Sequence, residues 1–172
     1  MDFRQSVEES KGGFERFVSK IPGYRGYKEK ETRREADKLL REYLTGQLDA
    51  QRRRLAELQR QLLDGGGLLF MDDVERAVTK VQKLADMIRT ATYGYAGLFD
   101  AVKVKEGQLD ALYNFDNQML EQVTVIQTAV DGLAAAVDAN GDVNAAIKDV
   151  MKAAEDANAR WRQREDAITG AA

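Results

Sequence analysis

From Lys28 to Asp64 the chain runs without a proline and with a single glycine, Gly46. At 1.5 Å per residue such a run predicts a rod of ~55 Å, which needs apolar neighbours along its length. Its leucines supply the contact line. Leu44, Leu48, Leu55, Leu58 and Leu62 follow a four-seven-three-four spacing, one narrow seam interrupted by Gln51.

The remaining sequence is punctuated in the same way. Pro22, Gly23 and Gly26 break any helix and set off an N-terminal segment, residues 1–27, in which Phe14, Phe17, Val18 and Ile21 recur at three-four spacing as on a short amphipathic helix. Gly65, Gly66 and Gly67 predict a turn, with Asp72 or Asp73 capping or charge-stabilising the next helix. Val74, Ala77, Val81, Leu84 and Ile88 then mark a helix over 71–102. Leu109, Leu112, Met119, Val123, Ile126, Val130, Leu133 and Val137 mark another over 105–139, with Asp116 on its seam. Asn140-Gly141 ends it. Asp142 stands as N-cap of a last helix over 142–168, lined by Val143, Ile147, Val150, Ala154, Ala157, Trp161 and Ile168.

Short turns between long helices predict an all-α fold. Residues 28–168 are expected to form an up-down-up-down four-helix bundle of antiparallel helices, with a short N-terminal helix before it and a tail at 169–172. Coiled-coil hairpins completed by a second chain are the alternative that the narrow first seam permits. A single proline and 32% charged residues suit long helices. Such long, charged, heptad-bearing helices are similar in a general way to bacterial membrane-stress scaffold proteins and to many coiled-coil adaptors, a likeness of composition that assigns no site.

The chain has no cysteine and no histidine. Thiol nucleophiles, zinc-thiolate sites, imidazole proton shuttles and the Glu-x-x-His pairs of diiron bundles are thereby excluded. Asp138, Asn140, Asp142, Asn144 and Asp149 echo a calcium loop, but Val143 stands where the loop turn wants glycine, and a helix end followed by an Asp142 cap explains the same residues. No phosphate loop, serine elbow or dinucleotide fingerprint is present. The expectation is no enzyme, no metal and no cofactor.

Two distributions remain. Alternating helix directions would gather Tyr93, Tyr95, Phe99, Tyr113 and Asp116 at one end, fitting either a small-molecule pocket or the plugging of a tapered bundle end by large rings. Carboxylate–arginine pairs such as Glu29/Arg33, four residues apart, read as support for an exposed helix face. Charge is uneven: residues 11–60 hold fourteen Lys/Arg against eight Asp/Glu, and residues 105–172 hold six against twelve. Opposite-signed surfaces favour assembly with protein partners, a second copy included. Phe14, Phe17, Lys20, Tyr24, Arg25, Tyr27 and Lys28 mix basic and aromatic groups as membrane-interfacial segments do, so an anionic membrane surface is the alternative partner. A net charge of −3 speaks against nucleic acid. The N-terminus lacks a signal-like apolar core and no run reaches the ~20 apolar residues of a membrane span, so a soluble, cytoplasmic scaffold or adaptor is expected.

Overall fold

A computed structural model describes residue 12 and residues 14–91 and 106–169. Among these residues the protein is all-helical, without strands. A short helix α1 covers residues 14–20. It is followed by the long helices α2 (Arg33–Asp64), α3 (Met71–Thr90), α4 (Glu106–Asp138) and α5 (Val143–Trp161), and by the short α6 (Arg164–Thr169).

The helix ends are set by local chemistry. At the end of α2, Gly67 N–H donates to the Leu62 carbonyl at 2.7 Å and Gly66 N–H to that of Leu63 at 3.2 Å. Gly66 sits at φ +83°, the left-handed residue such a stop requires. Asn140 takes the same role after α4, at φ +48°, with Gly141 N–H donating to the Ala136 carbonyl at 2.8 Å. Asp142 then caps α5 by accepting from Ala145 N–H at 2.9 Å. A 3-10 turn, Leu68–Phe70, leads into α3, where Asp72 and Asp73 occupy the first turn without a capping bond and favour it through the helix dipole.

The seams read from the sequence face one hydrophobic core. Leu44, Leu48, Val81, Leu84, Ile126, Val130, Ile147 and Val150 are all without exposed surface. α2 packs against α3 and α4, and α5 packs against those same two helices. Arg89 at the end of α3 reaches Asp49 of α2 at 3.0 Å. Lys80 of α3 meets Glu155 of α5 at 2.6 Å. Arg54 of α2 meets Asp131 of α4 at 2.6 Å. No helix among the described residues is long and apolar enough to cross a membrane.

Two boundaries differ from expectation, and a third is only partly described. The first long helix begins at Arg33 rather than Lys28, because Gly26 at φ +78° and a 3-10 turn over Lys30–Thr32 redirect the chain first. Of the helix expected over 71–102, the part beyond Thr90 falls almost wholly outside the described residues. The last helix is not continuous to 168: a turn at Arg162 and Gln163 separates α5 from α6, on which Arg164 is buried.

Replacing Ile126, which has no exposed surface, by alanine should cost about 2–5 kcal/mol in the urea unfolding midpoint. Gly46 lies within α2 with open space around its Cβ position, so Gly46→Ala should raise stability by up to ~1 kcal/mol in the same assay.

Candidate functional site

A cluster of buried charged and phenolic groups gathers at one end of the long helices, where α2 and α4 begin and α5 finishes. The strap between α1 and α2 enters this region through Gly26, where an added Cβ would overlap the Tyr113 hydroxyl and the Phe14 ring. That close approach sets Tyr27 in the interior, where all its polar groups are engaged. Its N–H donates to Tyr113 Oη at 2.5 Å. Its carbonyl accepts from Arg33 Nε at 2.6 Å. Its hydroxyl donates to Asp116 Oδ2 at 2.6 Å. Arg33 therefore serves the strap carbonyl, not the exposed Glu29 pair that i,i+4 spacing suggests.

Arg164 completes the cluster from α6. Its guanidinium, with no exposed surface, forks onto Asp116, with Nε to Oδ1 at 2.9 Å and Nη2 to Oδ2 at 3.2 Å. Its Nη1 donates to Asp37 Oδ1 of α2 at 2.7 Å. Asp37 Oδ2 accepts in turn from Arg41 Nε at 2.8 Å. The Trp161 ring lies 4.9 Å from the Arg164 carbon, close enough for a cation–π contact. Phe17, Tyr24, Tyr27 and Tyr113 form a wall of rings beside it, with Tyr27 and Tyr113 centroids 5.1 Å apart and Phe17 and Tyr24 5.3 Å apart.

These groups are tuned by burial first. Burial alone would lower the Arg164 pKa, but the Asp116 and Asp37 carboxylates more than reverse this and hold it well above its ordinary value. Burial pushes the Asp116 carboxyl up, while Arg164 and the Tyr27 hydroxyl oppose the rise. Burial likewise raises Tyr24, Tyr27 and Tyr113, with the Asp116 charge adding to each. Both oxygens of Asp116 are engaged by guanidinium and phenol, so no carboxylate here stands ready as a general base. The chemistry of the cluster is cohesion: one cation ties the strap, α2, α4 and α6 together.

The structure sorts the sequence candidates sharply. Tyr113 and Asp116 do meet, but the space beside Asp116 is filled by Tyr27 and Arg164; Tyr93, Tyr95 and Phe99 lie outside the described residues. Phe17, Tyr24 and Tyr27 are buried, so they form no membrane-facing surface. Phe14 packs its ring against Tyr24 and Tyr113 and keeps partial exposure, while Lys20, Arg25 and Lys28 are exposed. Phe17, Tyr24 and Tyr27 thus belong to the core, while Lys20, Arg25 and Lys28 stay outside. Sequence reasoning missed Asp37, Arg41 and Arg164, although each continues an apolar seam at three-four spacing. Among the described residues no three acids gather as a metal set would, and Asp142 is committed to its helix cap.

A second feature lies on the outer face of α4 and α5. An open groove of about 690 Å³ runs between them, floored by Ala129, Gly132, Ala136, Ala146 and Ala153. Val125 stands half exposed on its wall, and Asp142, Asp149 and Asp156 line its α5 edge at seven-residue spacing. Fold and site together define an all-helical protein with one polar-clasped end and one small-residue groove. No protein-family model, curated protein or solved structure matches the chain.

Arg164→Met would leave Asp116 buried without its cation and should destabilise the protein by about 3–5 kcal/mol at neutral pH. The Asp116 carboxyl, already raised by burial, rises further in that variant. The folded state then holds a proton that the unfolded state releases, so part of the loss should return as pH falls toward the ordinary carboxylate range. Urea midpoints at several acidic and neutral pH values measure both effects. The raised tyrosines give the matching alkaline sign: their stabilisation is intact below the ordinary phenol value of about 10 and is lost as pH climbs through the folded values. Thermal midpoints between neutral and strongly alkaline pH should fall less steeply for Tyr27→Phe than for the parent.

Proposed function

We propose that the chain is a non-enzymatic helical scaffold of the cytoplasm that presents helix faces to protein partners and associates with copies of itself. In this reading its long helices form an up-down-up-down antiparallel bundle, which agrees with α2 and α5 each lying against both α3 and α4. A chain without cysteine suits a reducing compartment.

The observation that carries the reading is the groove between α4 and α5. Alanine and glycine along its floor let another helix backbone approach closely, and its open length suits an amphipathic helix better than a compact metabolite. The acids on its α5 edge favour a partner helix with basic flanks. The buried cluster supports the same view from the other side, since its acids and phenols are engaged with one another and leave no free pair for proton transfer.

Gly132 offers the cleanest test because open space surrounds its Cβ position within the groove. Gly132→Trp should leave the helical circular dichroism unchanged while filling the groove. Cross-linking from Lys152, which lines the groove, should then lose its protein partners in cells, whereas a tryptophan at exposed Thr79 of α3 should not have this effect. Identical cross-links in parent and Gly132→Trp chains would sink the reading.

A further inference from the structure

The end opposite the Arg164 cluster carries an apolar surface that the fold does not use. Leu69 is 93% exposed, Leu68 68% and Leu63 48%, and the 3-10 turn holding the first two buries none of its residues. The hydrogen bonds from Gly66 and Gly67 back into α2 fix this turn, so the leucines stand on a braced apex. The α4–α5 turn lies beside it, since Gly65, Gly67 and Phe70 share one pocket with Asn140 and Gly141. Exposed Asp64, Asp72, Asp138 and Asp142 surround this end with negative charge.

Across the length of α2, the α1 strap presents the complement. Phe14 and Val18 are 36% and 48% exposed, and Lys20, Arg25 and Lys28 are exposed around them. Residues 14–34 as a whole carry seven Lys/Arg and three Asp/Glu. We propose that copies of this chain associate head to tail, the acidic Leu68–Leu69 apex of one seating on the basic, partly apolar α1 strap of the next. Apex against apex would set like charges together, and an anionic membrane would repel the acids flanking the leucines. Because two different surfaces meet, the contact in the head-to-tail arrangement is heterologous and repeats from copy to copy, giving open chains, or rings where the rotation closes. The patch is small, so the association is weak and reversible. This deepens the self-association of the scaffold reading and rests on it, but does not involve the groove.

Sedimentation velocity of the full chain over a concentration series tests the contact. The weight-average mass should rise past that of a dimer with concentration and fall with added salt. Leu68→Ser with Leu69→Ser should weaken association by roughly tenfold or more, with the thermal midpoint unchanged because neither side chain is buried. Asp64→Lys with Asp72→Lys should abolish it, as should Lys20→Glu with Lys28→Glu. Mixing those two altered chains should restore one contact per pair, since the unaltered acidic apex of the second then meets the unaltered basic strap of the first. A mass independent of concentration, association that ignores the leucine pair, or a mixture that stays monomeric would each overturn the proposal. Leucine-dependent flotation with vesicles of phosphatidylcholine and phosphatidylglycerol, without self-association, would overturn it in favour of a membrane. Partner cross-links at Lys152 that persist while head-to-tail contact fails would refute this interface and leave the scaffold reading standing; the reverse pattern would refute the groove alone.

Discussion

A guanidinium with no exposed surface has to be compensated where it stands, and at Arg164 that demand organises a whole end of the molecule. Asp116 supplies two acceptors, Asp37 a third, and the Trp161 ring covers one face. The carboxylates need donors in turn, which come from Tyr27 and Arg41. Each requirement is local, yet the residues that meet it belong to the strap, α2, α4 and α6. Ion pairs of this kind contribute little net stability over an apolar core of equal volume, because desolvation offsets most of the attraction. Their contribution is selective: a half-made cluster is costly, so alternative docking of the strap or of α6 is penalised more than a slip between leucine seams would be.

The two ends of the helices therefore differ in kind. At the clasped end the chain leaves regular helix twice, at Gly26 and at Arg162–Gln163, and each departure serves a buried polar contact. At the apex end the turns are closed mainly by backbone geometry, with Gly66 and Asn140 in left-handed conformation and the Asp142 side chain capping α5. The second kind of closure needs no inward-facing side chains, and so leaves Leu68 and Leu69 pointing at solvent. Tyr27 shows the contrast best. Backbone and side chain alike are bonded to other segments, so the strap is held against the helices by specific polar geometry as well as by its rings.

Most of the helical framework was legible in the sequence because burial is written there as spacing. Leu44, Leu48, Leu55, Leu58 and Leu62 are all buried, as are Val74, Val81 and Ile88, and both turns lie where glycine or Asn-Gly interrupts the pattern. The clasp was only half legible. Asp116 stood out as a charge on an apolar seam, but Asp37 and Arg41 were not singled out, since charged residues four apart usually mark a solvated face. Continuing the Leu44 seam backwards by three and then four residues lands on Arg41 and Asp37. Continuing from Ala157 and Trp161 by three lands on Arg164. Spacing carried the signal while residue type hid it. The turn at Arg162–Gln163 has no local signature, since both are good helix formers.

In the N-terminal segment, interleaved basic and aromatic residues divide between core and surface. Basic and aromatic groups interleave there as they do on membrane-binding helices, but a helix as short as residues 14–20 cannot hold itself together in water and must borrow support. The bundle end provides it: Phe17 stacks beside Tyr113, and Arg16 reaches Asn117 of α4 at 3.0 Å. With the largest rings turned inward, what faces solvent is the basic remainder, Lys20, Arg25 and Lys28, together with the edges of Phe14 and Val18. A surface of that composition suits docking against an acidic, modestly apolar protein patch more than insertion among acyl chains, because it offers charge and shallow contact but no side chain free to reach deep. The acidic end of the same molecule has that composition, which is the pairing proposed for the head-to-tail contact.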